Sequence, residues 1–309
     1  MTKYIIRRLI GMIPTLFVII TLSFFIIRIA PGGPFDKEKR LPPEIIKNIE
    51  AKYNLDEPIF VQYGKYLLDV VRGDLGPSFA YNDHDVNYFI FNSLPKSLLL
   101  GSLAMIIAVI FGVGVGMVSA FKQNTIIDYS AMTFGVFGIT VPNFVIGPVL
   151  MYFLALKLNW LPTSGWITGS FGWATIIMPL ITLSLPEFAY IARLSRASIL
   201  ETLRSDYVRT ARAKGLKDSV IMFRHVLKGA MLPVVSYLGP AFASIITGSV
   251  VVERIFRIPG LGQFFVQSAF NRDYTLLMGT VIVYSVILIV MNFIVDIAYG
   301  FIDPRISYS

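Results

Sequence analysis

The sequence contains no cysteine and only two histidines, and just 15% of its 309 residues are charged. The lack of cysteine excludes disulfide bonds, a thiol nucleophile and thiolate-bound metals. The two histidines, His84 and His225, are too few for a histidine-rich metal cage or a haem held by a histidine pair, so we expect no metal and no cofactor. Soluble domains usually carry about 25% charged residues, so this shortage of charge is atypical of them.

The sequence also lacks the phosphate-binding loop Gly-x-x-x-x-Gly-Lys-Ser/Thr, since Gly64-Lys65 is followed by Tyr66. In that loop backbone N–H groups and a lysine hold nucleotide phosphates. We therefore expect no ATP binding of this kind and no catalytic residue in this chain. If ATP drives its activity, the ATPase must be a separate polypeptide.

Long apolar runs dominate the remaining sequence, which is 55% hydrophobic and has a mean hydropathy of +0.68. A membrane-spanning helix needs about 20 consecutive, mostly apolar residues. The first run, Leu9 to about Ile29, exceeds the roughly 7–15-residue core of a signal peptide, which favours a retained span. The sequence thus predicts an all-α polytopic membrane protein. Its six transmembrane helices are predicted at about residues 9–30, 97–121, 131–156, 172–192, 231–252 and 277–301.

The orientation follows from Lys3, Arg7 and Arg8, which precede the first span, because lysine and arginine concentrate in cytoplasmic segments. The N-terminus is therefore predicted to be cytoplasmic, and six spans return the C-terminus to the same side. The predicted domains are an N-terminal transmembrane helix (1–30), an extracytoplasmic helical segment (31–93), a transmembrane core (94–302) and a cytoplasmic tail (303–309).

The extracytoplasmic segment is not disordered by composition. Residues 42–53 and 59–71 both show the apolar spacing of amphipathic helices, and Gly73–Pro77 is a cluster of turn-forming residues. These features predict a small helical cap on the outer face of the membrane.

One large basic loop, residues 193–230, holds nine lysines or arginines against three acidic residues. Within it Leu200, Leu203, Tyr207 and Ala211 recur at helical spacing. Ser205 suits an N-cap and Gly215 the residue after a helix end, which predicts an amphipathic helix of about ten residues. Such a helix would either bind anionic lipid at the membrane surface or dock into a partner protein.

The net charge of +8 has the same explanation. Nucleic-acid binding is an alternative source of such a charge, but membrane topology accounts for it better.

The segment Tyr207–Gly215, which includes Arg-Thr-Ala-Arg-Ala-Lys-Gly, resembles the cytoplasmic signature of ABC importer permeases, in the form typical of the peptide branch. Leu232-Pro233 matches the Leu-Pro that closes the family pattern, at a longer spacing. Arg209 stands where the family-wide pattern has glutamate. Both departures are usual in the peptide branch. The segment Pro42–Tyr53 favours the oligopeptide B-type permease over its dipeptide and nickel relatives, which remain the alternative.

The resemblance implies a type I ABC importer permease fold and a transport subunit that is not an enzyme. It also implies four kinds of partner: a second homologous permease, two ATPase subunits, an extracytoplasmic peptide-binding protein and the peptide itself, all at a bacterial cytoplasmic (inner) membrane whose lipid surrounds the chain. The residues that would dock with the ATPase are Asp206, Tyr207, Arg209, Thr210, Ala211, Arg212, Ala213, Lys214 and Gly215.

Two further sets of residues are predicted to matter. Gly112 and Gly116 form a small-xxx-small pair inside an apolar span, which favours close helix packing over a dinucleotide-binding loop. The outer loop 253–275 is expected to face the binding protein, or else to pack as an ordinary loop. Its candidate residues are Pro259, Gly260, Gly262, Arg272 and Asp273.

Two acidic residues, Glu187 and Asp296, fall inside predicted spans. Intramembrane acids are candidates for proton pathways, and a proton-coupled secondary peptide transporter would need them near the membrane centre. Both lie toward predicted cytoplasmic ends, where an interfacial or helix-pairing role is the simpler interpretation.

Overall fold

The computed structural model describes residues 2–29, 55–81 and 83–302. In these ranges every regular element is a helix, and strand-like pairing is limited to one antiparallel bridge between Pro77 and Asp85. The predicted all-α class is therefore confirmed. The predicted helix at 42–53 lies outside the described residues.

The described helices are named here in chain order. They are α1 (Thr2–Ile29), α2 (Ile59–Val71), α3 (Val86–Phe121), α4 (Ile126–Thr140), α5 (Asn143–Leu150) with a π-helical continuation (Met151–Lys157), α6 (Ala174–Leu203), α7 (Asp206–Ala213), α8 (Asp218–Val220) with a π-helical continuation (Ile221–Val226), α9 (Leu227–Ala230), α10 (Leu232–Phe256), α11 (Leu261–Asn271) and α12 (Tyr274–Ile302).

Five of these helices, α1, α3, α6, α10 and α12, are long and apolar enough to cross a membrane. The helices α4 and α5 pass the same test together, which makes six if the pair counts as one span. They meet at 105°, whereas the sequence suggested a single span at 131–156. The break falls at Val141, which has an extended backbone (φ −87°, ψ 119°) because the following Pro142 disfavours helical geometry.

Two helices extend well beyond their predicted spans. Helix α3 begins at Val86 rather than near residue 97, and it carries Pro95 within its length. Helix α6 continues to Leu203, so the first part of the predicted basic loop is helical and includes Arg193 and Arg196. Charged residues mark the end of an apolar run, but they do not end a helix whose backbone hydrogen bonds continue.

The structure divides into two compact units. The first consists of Ser97–Ile258 with the beginning of α1 and the end of α12. Within it α6 packs against α4, α5 and α10. A buried carboxylate, Glu253 of α10, accepts hydrogen bonds from Ser97 of α3 (2.7 Å) and from Ser249 one turn earlier (2.9 Å). Because a buried charged group is costly without partners, this contact helps to specify how α3 and α10 pair.

The second unit contains Ile10–Lys96 and Pro259–Val286. In its core Phe24 of α1 packs beside Met278 of α12 and the aromatic residues of α2. The hydroxyls of Thr21 and Tyr63 share a 2.6 Å hydrogen bond between α1 and α2. The helix predicted at 59–71 is thus confirmed as α2. Burial raises the pKa of the Tyr66 phenol in α2 above its ordinary value.

Candidate functional site

Helix α7 is a short surface helix with well-defined ends. At its start, Ser205 occupies the predicted N-cap position with an extended backbone, but its hydroxyl donates to the Thr202 carbonyl (2.6 Å) and makes no capping hydrogen bond. At its end, Gly215 adopts φ +73°, and its N–H donates to the Arg212 carbonyl (2.9 Å). This left-handed backbone conformation suits glycine, and Gly215 ends the helix as the sequence predicted.

The buried face of α7 is small and apolar. Val208 is 0% exposed and Ala211 is 5% exposed, and both belong to a cluster that includes Ile199 of α6 and Ala120 of α3. Of the predicted stripe Leu200, Leu203, Tyr207 and Ala211, three residues belong to or pack against this cluster, and Tyr207 does not. The stripe is interrupted because α6 ends at Leu203 and a turn precedes α7, which leaves Tyr207 50% exposed.

The rest of α7 and the following turn face outward and form a basic surface. Asp206 and Arg209 make one ion pair (3.4 Å), but both side chains are highly exposed, so the pair contributes little to stability. Among the predicted docking residues only Ala211 points inward. The exposed ones are Asp206, Tyr207, Arg209, Thr210, Arg212, Ala213, Lys214 and Gly215.

A groove of about 480 Å³ runs beside this basic surface, with Tyr207 on one side and Pro233 on the other. Glu201 and Ser205 add polar groups to its lining. Its volume falls within the roughly 300–1,000 Å³ of pockets that hold ligands, so it has room for a side chain of a partner. The surface thus combines an exposed basic helix, an aromatic edge and an adjacent recess.

The glycine pair of α3 faces α6 at very short range. A Cβ atom on Gly112 would lie 2.8 Å from Ile191 Cγ2, and one on Gly116 would lie 2.5 Å from the Ala192 carbonyl oxygen. Gly114 has nothing within 4 Å of such an atom. Only at Gly112 and Gly116, therefore, do the two backbones approach too closely for a side chain.

The two acids that the sequence analysis singled out inside spans each contact another helix. Glu187 of α6 is 6% exposed and accepts a 2.5 Å hydrogen bond from the Tyr237 hydroxyl of α10. The ring of Tyr237 also stacks on Tyr190 of α6, with centroids 4.1 Å apart. Asp296 of α12 pairs with Arg8 of α1 at 3.2 Å. Both acids pair helices in this structure, in line with the simpler interpretation.

The candidate residues of the outer loop differ in exposure. Pro259 is exposed, Gly260 and Gly262 are buried, and Arg272 has a left-handed backbone (φ +58°) at the end of α11. Asp273 is fully buried. It accepts hydrogen bonds from the Ser78 hydroxyl, the Ala80 N–H and the Leu276 N–H. These contacts give Asp273 a structural role at the start of α12.

The sequence did not point to a buried ion pair between Asp128 of α4 and Arg196 of α6. The two residues lie 68 positions apart. Such a contact depends on how the helices pack, and no local pattern identifies it. A polar residue early in an apolar helix was the one available signal.

Comparison with known proteins gives full-length matches. Residues 112–308 match the family model for the binding-protein-dependent transport system inner membrane component, and residues 1–100 match the model for the N-terminal part of such a membrane component. The chain is 50% identical over 308 residues to the oligopeptide transport system permease protein OppB of Salmonella typhimurium, with 100% of both chains covered. It is 42% identical over 307 residues to the dipeptide transport system permease protein DppB of Bacillus subtilis, covering 99% of this chain and 98% of that protein.

Solved structures with a similar fold include the MetNI methionine ABC transporter in inward-facing conformations. It matches with a TM-score of 0.58 and 16% identity over 70% of this chain and 97% of that chain. An amino acid ABC transporter matches with a TM-score of 0.54 and 18% identity over 69% of this chain and 93% of that chain. At these identities the matches concern the fold alone, and they show the ABC transporter membrane fold that the resemblance implied.

Proposed function

Because the chain belongs to the family of binding-protein-dependent transport system inner membrane components, we propose that it is the permease subunit of an ATP-driven oligopeptide importer. The observation that carries this proposal is the 50% identity to an oligopeptide permease over the whole of both chains. The apolar helices and the exposed basic surface of α7 support it.

The energy for transport would come from two ATPase subunits that dock on α7. The sequence contains no phosphate-binding loop of its own, and α7 presents Tyr207, Arg209 and Arg212 to the outside. The permease itself would carry out no covalent chemistry and would not be an enzyme. A second homologous permease would complete the translocation core, and an extracytoplasmic peptide-binding protein would deliver the substrate.

Movement of α7 would be passed on through its buried face. When ATP binding closes the ATPase pair, α7 moves with the surface into which it docks. Val208 and Ala211 share an apolar cluster with Ile199 of α6, Ala120 of α3 and the segment Ile221–Val226, so a force on α7 reaches α3 and α6 through this cluster. The spanning helices then switch between inward- and outward-facing arrangements, whose balance the partners shift.

The proposed orientation places both termini in the cytoplasm of a bacterial cell and the chain in its cytoplasmic membrane. Residues 31–93 and the loop with Pro259, Gly260, Gly262 and Arg272 would then face the binding protein. The binding protein would select the peptide, while the permease would offer a pathway with few fixed contacts. Such a pathway suits substrates that share a backbone but differ in their side chains.

Two alternatives lead to different expectations. A dipeptide or nickel permease of the same branch is one, and the lower identity to the dipeptide permease, 42% against 50%, disfavours it. A proton-coupled peptide transporter is the other. The acids Glu187, Glu253 and Asp296 of the spanning helices each join two helices, through Tyr237, Ser97 and Arg8, so their presence is explained without a proton pathway.

Uptake of a labelled tripeptide by cells that express the complete importer tests the proposal, with a strain lacking this chain as the control. ATP depletion is expected to abolish uptake, and a protonophore applied at constant ATP is expected to leave most of it. Uptake that survives ATP depletion but collapses with the protonophore would falsify the proposal. Competition by dipeptides, longer peptides and Ni²⁺ separates oligopeptide transport from the related alternatives.

A further inference from the structure

A buried ion pair joins three parts of the first unit. Asp128, in the first turn of α4, is 1% exposed. Its Oδ1 accepts hydrogen bonds from Arg196 Nε (2.7 Å) and from the Ser119 hydroxyl, and its Oδ2 accepts from Arg196 Nη2 (2.6 Å) and the Asn124 N–H (2.9 Å). All four acceptor positions of the carboxylate are therefore filled.

The geometry of this pair is more specific than stability alone requires. Asp128 is buried and the Arg196 side chain is 24% exposed, and the desolvation cost of such a pair is about as large as the attraction between the charges, so the pair contributes little net stability. What the pair does fix is geometry, because the planar guanidinium of Arg196 matches the carboxylate in two parallel hydrogen bonds. Asp128, at the start of α4, is bonded to Ser119 near the end of α3, to Asn124 in the turn between the two helices, and to Arg196 of α6. These contacts fix the α3–α4 turn at one position on α6.

The ion pair lies next to the packing that anchors α7. Ala120 adjoins Ser119 on α3, and Ile199 lies three residues after Arg196 on α6. Both belong to the apolar cluster that contains Val208 and Ala211 of α7. On both α3 and α6, therefore, a residue that contacts Asp128 of α4 lies within three positions of a residue in the cluster that contains Val208 and Ala211 of α7.

Farther along, α4 also lies close to α6. A Cβ atom on Gly138 would lie 3.2 Å from Ala189 Cβ and 3.2 Å from the Leu185 carbonyl oxygen. At Gly135 the Ala189 carbonyl oxygen would be 3.8 Å away. Packing of this kind interlocks the two helices and resists sliding of α4 along α6.

We propose that Asp128 and Arg196 are positioning residues that join α4 to the body carrying α7, so that α3, α4, α6 and α7 move together. The inference rests on the proposed function, in which an ATPase subunit moves α7. Relative motion then begins beyond this body, at the break after Thr140 where α4 meets α5 at 105°. The ion pair thereby passes the movement of α7 to the part of the chain that changes position.

Distances between spin labels test whether these helices form one body. The chain contains no cysteine, so cysteine pairs introduced into it are its only labelling sites when the partner subunits are cysteine-free. One pair, Ile126→Cys with Phe223→Cys, uses exposed positions on α4 and beside α7. The second pair, Ile126→Cys with Phe153→Cys, spans the break between α4 and the π-helical end of α5.

The complete importer is measured without nucleotide and with ATP trapped, after peptide uptake has shown that the labelled preparation is active. Helix shifts in switching proteins are about 1–2 Å, and larger steps reach about 5 Å, so the first distance is expected to stay within about 2 Å. The second distance is expected to change by more than that. A change of more than about 2 Å in the first distance, or a second distance that stays within about 2 Å, overturns the inference.

Substitution of Arg196 tests the role of the ion pair in coupling. The readout is peptide imported per ATP hydrolysed by the reconstituted importer. Arg196→Gln is expected to lower this ratio about tenfold, within the usual range of coupling between sites, and Arg196→Lys by less because it keeps the charge. The control is Arg193→Gln, which removes an exposed arginine three residues earlier on α6 and is expected to leave the ratio unchanged.

Ser119→Ala gives a milder change if Arg196→Gln does not assemble, since it removes one of the four hydrogen bonds to Asp128. It is expected to lower the ratio in the same direction. Unchanged ratios in assembled Arg196→Gln or Ser119→Ala, or an equal loss in the Arg193→Gln control, contradict the inference. A wild-type importer that moves no peptide contradicts the proposed function instead, so the two failures are distinguishable.

Discussion

Replacement of Gly116 by alanine probes the contact between α3 and α6 most directly. The new Cβ would lie 2.5 Å from the Ala192 carbonyl oxygen, 2.7 Å from Ser195 Cβ and 3.1 Å from the Arg196 N atom. Two of these three neighbours are backbone atoms of α6, which cannot move by a change of rotamer. The helices must therefore separate, and the contact along this stretch is lost or weakened.

The size of the effect follows from this overpacking. Inserting a methyl group into a well-packed interface costs about 1–3 kcal/mol. A glycine in a helix is also less favourable than alanine by roughly 0.5–1 kcal/mol, which offsets part of that cost. Gly114→Ala gains the same helix propensity without a clash, since nothing lies within 4 Å of its new Cβ. The two variants should therefore differ by about 1–3 kcal/mol, with Gly116→Ala the less stable.

Thermal unfolding of the purified importer in one detergent measures this difference. Gly116→Ala is expected to lower the unfolding midpoint by several degrees, while Gly114→Ala leaves it unchanged or raises it slightly. Equal midpoints for the two variants, or a lower midpoint for Gly114→Ala, would show that the close approach of α3 and α6 is not what the glycines provide.

Two further predictions concern the helix-pairing acid and the end of α7. Tyr237→Phe removes one donor to the buried Glu187, which also has a hydrogen bond with Ser244, and is expected to cost about 1 kcal/mol of stability, measured by the unfolding midpoint. Glu187→Gln keeps an acceptor and should leave peptide uptake largely intact. Abolished uptake in correctly assembled Glu187→Gln would point to a proton pathway. Gly215→Ala places a side chain at φ +73° and is expected to cost about 1–2 kcal/mol locally. Gly215→Asp is expected to reduce the peptide imported per ATP hydrolysed while the complex still assembles. Unchanged coupling in Gly215→Asp would count against α7 as the docking helix.

Much of the fold follows from features that are local in the sequence. Apolar runs locate the spanning helices because a spanning helix must present apolar side chains to lipid. The short helix α7 and its end at Gly215 follow from spacing and from the conformational freedom of glycine. The glycines at 112 and 116 signal a close helix contact without saying which helix they meet.

The remaining features depend on tertiary packing. In the sequence, Pro142 is one of several prolines inside predicted spans. The structure has a 105° break at Val141–Pro142, and neighbouring helices decide whether such a proline bends a helix or divides it. The sequence analysis placed Tyr207 rather than Val208 on the buried face of α7, because the apolar spacing crosses a turn at Arg204 and Ser205. The ion pair between Asp128 and Arg196 joins residues that no local pattern relates.

In the proposed importer, this chain moves oligopeptides only when separate ATPase subunits act on it. Proteoliposomes that contain the purified importer and a saturating peptide-loaded binding protein measure this dependence directly, by uptake of labelled peptide with and without ATP and with and without the ATPase subunits. Accumulation is expected to depend on ATP and to disappear when the ATPase subunits are left out. Accumulation that is the same without them, or that follows an imposed proton gradient in the absence of ATP, would contradict this expectation.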